Sequence, residues 1–183
     1  MKFSRYLATQ TSQIEQLFLD TFADSEGAEE GQVIAMLVKD LFVKTASHDL
    51  ECFVAISEDE QIMGAIVFTP LDNEVDSNER ERMCLLSPVA VSTSVQGQGI
   101  GQALINYGLN QMSKAGNFIA VTYGDPSFYS KVGFKQIAES IIPAPFPLSY
   151  PNGWLAVSLT GSNITPVSGT TRCVEALNDA KYW

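Results

Sequence analysis

The sequence predicts a single α/β (α+β) domain in which a mixed sheet is flanked by helices. The 183 residues are 45% hydrophobic and 17% charged, which is the length and composition of one globular domain. Several neighbouring strand-like segments are joined by links without a helix, and one such segment is followed closely by a long helix. The sequence shows no internal repeat and no linker that would divide the chain.

The first half of the chain begins with a short strand and two helices. Residues 2–7 alternate like a strand, and Ser12 and Glu15 have the spacing of a capping box that begins a helix. Residues 23–31 are acidic and contain glycine, which predicts a loop before the second helix. Apolar residues at helical spacing mark the two helices: Ile14, Leu17, Phe18 and Phe22 in the first, and Ile34, Leu37, Val38, Leu41 and Phe42 in the second.

A hairpin and an apolar strand follow. Residues 52–56 and 62–68 predict two strands joined by a polar turn. The polar residues 72–82 predict an exposed connection. Residues 83–91 predict an apolar strand that Pro88 interrupts.

The second half predicts shorter elements and a tail. Gly133 is expected to end a short helix, because glycine accepts the left-handed geometry of a C-cap. Residues 161–183 are rich in Gly, Ser and Thr. We expect a domain over residues 1–160 and a surface tail over 161–183 that packs on it. The elements are a helix at 99–115, a strand at 118–123, a short helix at 126–132, and strands at 134–139 and 154–160.

Charge and hydropathy exclude several classes of partner. The formal net charge is −10 and the pI is about 4.4, and no Lys/Arg cluster could neutralise phosphates. We therefore expect neither nucleic acid nor an anionic membrane surface as a partner. No apolar run approaches the ~18 residues of a membrane span. The first residues do not resemble a signal peptide, so we expect a cytoplasmic protein.

The cysteines do not indicate a metal site. Cys52, Cys84 and Cys173 are too far apart in the sequence for the spacing of a zinc site. Their odd number does not fit a disulfide framework. Cys52 and Cys84 lie in apolar strand-like runs. We interpret them as free thiols of the core in a reducing compartment, and we expect no metal.

The segment Gln96-Gly97-Gln98-Gly99-Ile100-Gly101 lies between an apolar strand and a long helix. A helix N-terminus has free N–H groups and the positive end of a dipole, so it binds anions. Glycines let the backbone approach a phosphate without a Cβ atom in the way. The segment therefore predicts a phosphate-binding loop, and the alternative is a glycine-rich turn without a ligand.

Two familiar phosphate loops do not fit this segment. A Walker A loop needs Lys and Ser/Thr after its last glycine, and Gln102 follows Gly101. The dinucleotide pattern G-x-G-x-x-G would need a glycine at Gln102. The segment resembles Gln/Arg-x-x-Gly-x-Gly/Ala, the signature of the GNAT acetyltransferases. This resemblance implies that Gln96, Gly97, Gln98, Gly99, Ile100 and Gly101 bind the pyrophosphate of coenzyme A.

Two further segments carry the same resemblance. Residues 86–91 are similar to the family's fourth strand, which implies that Val89, Ala90 and Val91 pair with the pantetheine arm. Residues 128–134 resemble the family's FYxxxGF segment. The resemblance covers residues 3–160 and implies a mostly antiparallel sheet that is splayed between strands 4 and 5. Residues 124–126 and, loosely, the tail resemble a bacterial subgroup of predicted acetyltransferases.

The resemblance also implies roles in acetyl transfer from acetyl-CoA to an amine. It places Tyr129 beside the coenzyme A sulfur as the general acid. An ordinary phenol pKa of ~10 keeps such a side chain protonated at neutral pH, so that it can donate a proton. Phe128 would contact the cofactor, and the N–H near Val89 would donate to the thioester carbonyl. The alternative for Tyr129 is simple packing.

The sequence does not identify a general base. Residues 83–91 contain neither a carboxylate nor a histidine. Glu81 and Asp125 could act through water, or could be solvated or structural, and we expect His48 at the surface. Residues 143–151 contain four prolines and two aromatic residues, which could line an acceptor pocket or pack on the sheet edge.

The resemblance implies that the chain is an N-acetyltransferase, which transfers an acetyl group from acetyl-CoA to a primary amine of a small molecule or protein. The alternative is a non-catalytic acyl-CoA-binding module with the same fold. We expect a monomer or a homodimer.

Overall fold

The structure is a computed structural model, and it describes residues 1–73 and 82–183. Four α-helices lie in these residues: α1 (Thr11–Glu26), α2 (Ala28–Lys44), α3 (Ile100–Lys114) and α4 (Pro126–Tyr129). The strands are β1 (Lys2–Arg5), β2 (Glu51–Ile56), β3 (Ile62–Asn73), β4 (Met83–Val91), β5 (Ile119–Tyr123), β6 (Lys135–Gln136), β7 (Trp154–Ser158) and β8 (Thr171–Arg172).

The strands are hydrogen-bonded in the order β1-β2-β3-β4-β5-β7-β6, and β8 pairs with β3. The β4–β5 pair is parallel, and the β1–β2, β2–β3, β3–β8, β5–β7 and β6–β7 pairs are antiparallel. This confirms the predicted mixed, mostly antiparallel sheet with helices. The chain forms two compact units, residues 1–68 with 88–108 and residues 69–87 with 109–183.

In the first unit, α1 and α2 form a tight helical hairpin. The only residue between them is Gly27, which has a φ of 104° and a ψ of 161°. Glycine adopts this conformation readily because it has no Cβ atom. A Cβ atom on Gly31 would lie 2.7 Å from the main-chain oxygen of Leu19, so the two helices approach each other closely there. The predicted loop over 23–31 was therefore wrong.

The predicted start of α1 was also wrong. The helix begins at Thr11, and its N-cap is Gln10, which makes no side-chain capping bond. Ser12 lies inside the first turn instead of preceding it. The apolar stripes of the two helices were predicted correctly, since Ile14, Phe18, Leu37 and Leu41 are buried.

The sheet of the first unit packs against the middle of α3. The ring of Phe53 meets that of Tyr107 edge-on at 5.6 Å between centroids. A Cβ atom on Gly108 would lie 2.7 Å from Cδ1 of Ile66 and from Cε2 of Phe68. Helix α3 thus approaches β3 closely because residue 108 has no side chain.

The second unit contains the parallel strand pair. Its register runs from Met83↔Ile119 to Leu86↔Thr122, while β4 continues without a break to Val91. The predicted interruption at Pro88 was therefore wrong. The final strands are shorter than predicted, because β6 has two residues and β7 ends at Ser158.

The connection predicted over 72–82 is only partly described. Asp72 and Asn73 belong to β3 and pair with Arg172 and Thr171 of β8. The rest of that prediction, over residues 74–81, lies outside the described residues. The tail contributes β8, and the side chain of Trp183 is buried.

The three cysteines are free thiols. Cys52 and Cys84 are buried, and burial raises the pKa of Cys84 to about 12 and that of Cys52 further still. Cys173 is only half-buried. In the part of the chain that the structure describes, no helix is both long and apolar enough to cross a bilayer.

Candidate functional site

The glycine loop joins the end of β4 to α3 in the first unit. Gly97 and Gly99 have φ values of 75° and 79°, which side chains rarely adopt. A Cβ atom at either position would meet no atom within 4 Å. Helix α3 begins directly afterwards, at Ile100, and its first turn contains no acidic residue. The loop therefore presents bare, exposed backbone at the N-terminus of a 15-residue helix.

The side chains around the loop hold it in place. Nε2 of Gln96 donates to the main-chain oxygen of Val91 at 2.9 Å, which ties the loop to the end of β4. Ile100 and Gly101 are buried and anchor the start of the helix, whereas Gln98 is exposed. Free N–H groups at such a helix end can bind an anion.

The last residues of β4 lie in the same unit as the loop. Ala90 is buried, and Val89 and Val91 are half-buried. A Cβ atom on Gly64 would lie 3.3 Å from the main-chain oxygen of Ala90, so β3 approaches β4 closely there. The main-chain N–H of Ser92 donates to Met63 at 2.8 Å and fixes the end of the strand.

Tyr129 lies in the second unit, at the end of the one-turn helix α4. Asp125 caps this helix by accepting a 2.8 Å hydrogen bond from the main-chain N–H of Ser127. The ring of Tyr129 is buried and meets the rings of Phe128 and Phe134 edge-on, at 5.0 and 5.7 Å between centroids. Gly133 follows with a φ of 93°, which confirms the predicted glycine stop.

The surroundings of Tyr129 favour its protonated form. Burial raises the pKa of Tyr129, and the nearby carboxylate of Asp125 raises it further, while a hydrogen bond with Thr122 acts in the opposite direction. The phenol therefore carries its proton throughout the neutral range. It is chemically able to serve as a proton donor.

The two candidate bases are Asp125 and Glu81, and His48 is the single histidine. Both carboxylate oxygens of Asp125 accept hydrogen bonds from Ser127, which lower the pKa of Asp125 and give it a structural role at the helix cap. Glu81 lies outside the described residues. The side chain of His48 is 80% exposed and contacts Asp49, as expected for a surface histidine. Over residues 1–73 and 82–183, no cluster of metal-ligating side chains occurs.

The sequence did not reveal a polar groove in the first unit. This groove has a volume of about 300 Å³ and lies between α1 and the turn after β4, with Gln13, Asp20, Thr21 and Thr93 among its lining. Oγ1 of Thr93 donates to Asp24 at 2.8 Å and links the two elements. The only sequence signal was a polar face on α1, which is equally typical of a solvated helix.

Part of the chain matches a known family of acetyltransferases. A family model of the acetyltransferase (GNAT) domain matches residues 48–136. The chain is 31% identical over 94 residues to the uncharacterized N-acetyltransferase YhbS of Escherichia coli K12, which is 51% of this chain and 54% of YhbS. The chain thus spans about half the length of that curated relative. It is also 28% identical over 153 residues to the uncharacterized N-acetyltransferase YjhQ of the same strain, covering 81% and 80% of the two chains.

Solved structures share the fold. The crystal structure of Escherichia coli YhbS in complex with CoA superposes with a TM-score of 0.79 at 24% identity, over 97% of this chain and 92% of that one. A GNAT family acetyltransferase from Brucella melitensis in complex with acetyl-CoA gives a TM-score of 0.72 at 25% identity, over 96% and 97%. Residues 48–136 of the chain therefore match the GNAT acetyltransferase domain, and the chain as a whole shares the fold of solved GNAT acetyltransferases.

Proposed function

We propose that the chain is an N-acetyltransferase that moves an acetyl group from acetyl-CoA to a primary amine of a small molecule or peptide. The observation that carries this proposal is the pair of left-handed glycines, Gly97 and Gly99, directly before α3. Bare backbone at a helix N-terminus suits a pyrophosphate. The CoA and acetyl-CoA complexes of the two similar structures support coenzyme A as its source.

Under this proposal different residues bind different parts of acetyl-CoA. The amides of residues 96–101 bind the pyrophosphate, and residues 89–91 pair with the pantetheine arm as an added strand. Phe128 contacts the cofactor arm. The N–H near Val89 stabilises the oxyanion that develops on the thioester carbonyl.

The chemistry requires one nucleophile and one proton donor. The lone pair of a neutral amine attacks the thioester carbon, a C–N bond forms, and the C–S bond breaks. The amine loses a proton to water, and the phenol of Tyr129 gives its proton to the leaving thiolate. Tyr129 then regains a proton from solvent. The raised pKa of Tyr129 keeps it loaded with this proton at neutral pH.

No carboxylate is required as a base in this scheme. Asp125 is engaged by Ser127, and β4 offers no acid or histidine. An amine that is already neutral, together with a water molecule that accepts the proton released after the attack, is sufficient. The acidic character of the chain favours a cationic or neutral acceptor. The proposal places the reaction in the cytoplasm, in a monomer or a homodimer, without a nucleic-acid partner.

A second candidate is an acyl-CoA-binding module without turnover. The observation that favours it is the absence of a carboxylate from β4. Two measurements separate the candidates. Calorimetry with acetyl-CoA, and with ATP as the control nucleotide, tests cofactor binding. Thiol release from acetyl-CoA in the presence of phenethylamine, lysinamide or spermidine tests turnover. Binding of acetyl-CoA without thiol release for any of the three amines would favour the module.

A further inference from the structure

Residues 143–150, here called the proline loop, are held by one tyrosine of the second unit. The main-chain N–H of Tyr150 donates to the phenol oxygen of Tyr123 at 2.6 Å. The same phenol oxygen lies 3.0 Å from Oγ of Ser149. Tyr123 is the last residue of β5 and pairs with Trp154 of β7, so the sheet itself positions its ring. Two successive residues of the loop are therefore fixed to a strand end.

The ring of Tyr123 is in turn held by aromatic packing. It stacks on Trp183 with 6.3 Å between centroids and an interplanar angle of 20°. Trp183 also stacks on Phe146 of the proline loop and meets Trp154 edge-on. Its indole N–H donates to the main-chain oxygen of Leu177 at 3.0 Å, so the indole is held at both its face and its edge.

Within this rigid frame, Tyr150 is 50% exposed. Its ring lies against Gly153, where an added Cβ atom would be 2.8 Å from Cδ1 of Tyr150. The main-chain oxygen of Gly153 accepts from Gly124 at 3.0 Å, and Gly124 packs directly on the ring of Tyr129. Tyr150 and Tyr129 therefore flank one backbone contact, between Gly124 and Gly153.

We propose that Tyr150 is a specificity-determining residue, which contacts the amine acceptor of the transfer proposed above, and that Tyr123 positions it. A half-exposed aromatic ring whose backbone is held by a hydrogen bond offers a face for an aliphatic, aromatic or cationic group. Holding it rigid before binding lowers the entropic cost of capturing an acceptor. The inference rests on the proposed function, because an acceptor exists only if the chain transfers acetyl groups.

The test compares three variants in thiol-release assays with phenethylamine, lysinamide and spermidine. Tyr150→Ala should raise the KM of the amine about tenfold, the order expected from losing one aromatic contact, while kcat changes by less than about threefold. Tyr150→Phe keeps the ring and should behave as wild type. Tyr123→Phe removes the acceptor of the Tyr150 N–H and should raise the amine KM by a smaller factor.

The pair also predicts non-additivity. Tyr123→Phe combined with Tyr150→Ala should be no worse than Tyr150→Ala alone, since Tyr123 acts through Tyr150. Amide hydrogen exchange over residues 143–153 should speed up in Tyr123→Phe. Phe118→Ala is the matched control, and it should leave the amine KM unchanged. Phe118 is an exposed aromatic residue that directly precedes β5, at the end of the strand opposite to Tyr123.

Failure of the inference and failure of the function are distinguishable. If Tyr150→Ala turns over with the wild-type amine KM, the role of Tyr150 is overturned while the transfer stands. The role is equally overturned if Phe118→Ala raises the amine KM as much as Tyr150→Ala. If the wild-type protein binds acetyl-CoA by calorimetry and releases no thiol with these amines, the proposed transfer fails, and the role of Tyr150 fails with it.

Discussion

A Cβ atom placed on Gly124 would lie 2.7 Å from Cε2 of Tyr129, closer than side-chain carbons pack in folded proteins. The absence of a side chain at residue 124 therefore sets where the phenol ring can lie. The same residue donates its N–H to Gly153 at 3.0 Å, so its backbone has little freedom to move away. The position of the proposed acid thus depends on a neighbouring glycine.

Gly124→Ala should displace the ring of Tyr129 and disturb both stability and turnover. Overpacking of this kind costs about 1–3 kcal/mol of unfolding free energy. Turnover should fall while the affinity for acetyl-CoA, measured by calorimetry, changes little. A variant with the melting temperature and rate of the wild type would show that the ring has room to relax.

Tyr129→Phe removes one hydroxyl and keeps the packing with Phe128 and Phe134. If Tyr129 protonates the leaving thiolate, turnover should fall by ~10²–10⁴-fold with unchanged acetyl-CoA affinity. Its raised pKa fixes the pH dependence: the phenol loses its proton only above its ordinary value of 10. The wild-type rate should therefore decline only above about pH 10, and that decline should be absent in the variant.

Near wild-type turnover in a folded Tyr129→Phe variant that binds acetyl-CoA would remove the general-acid role. The thiolate would then take its proton from water, and catalysis would depend on positioning. A rate decline that begins well below pH 10 would assign the alkaline limb to another group.

Gly99→Asp should abolish acetyl-CoA binding, because it places a negative charge where the pyrophosphate is proposed to lie. Gly161→Asp is a matched control: its φ of 78° equals that of Gly99 within a degree, and a Cβ atom there also meets nothing within 4 Å. Acetyl-CoA at ~100 times its dissociation constant should stabilise the wild type and the control by about 2.7 kcal/mol. The Gly99 variant should gain nothing in thermal melts. Equal stabilisation of both variants would place the phosphate elsewhere.

Gly31→Ala tests the helical hairpin. The added methyl group would lie 2.7 Å from the main-chain oxygen of Leu19 and 2.9 Å from the main-chain nitrogen of Ala23. Backbone atoms cannot rotate away, so α1 and α2 must separate. We expect a loss of about 1–3 kcal/mol in denaturant unfolding. A loss below about 0.5 kcal/mol would mean that the hairpin tolerates a wider spacing.

Periodicity was sufficient to predict most of the elements. Buried Ile14, Leu37 and Leu104 lie on helical stripes, and the strand pattern located β2, β4 and β5 within a few residues. The error over residues 23–31 has a physical cause. Acidic residues and two glycines are typical of a loop, yet Gly27 alone makes the turn, and Gly31 lies inside a helix because α1 passes so close.

The position of the candidate site in the fold could be predicted only where its residues are consecutive in sequence. The glycine loop was located correctly between β4 and α3 because its glycines and the following helix are consecutive. Tyr129 was found through a short motif, and its role stays a prediction. The contacts of Tyr123 with Tyr150 and Trp183 join distant parts of the chain, and no local pattern announces them.

The three cysteines differ in burial, so their reactivity with a thiol reagent reports unfolding. A thiol-reactive dye that detects released coenzyme A also reaches the protein's own sulfur atoms. In the native protein only half-buried Cys173 should react at an appreciable rate, since Cys52 and Cys84 are enclosed and resist ionisation. Unfolding exposes all three. The same reagent, used without acetyl-CoA, can therefore report whether a slow variant is a poor catalyst or a poorly folded protein.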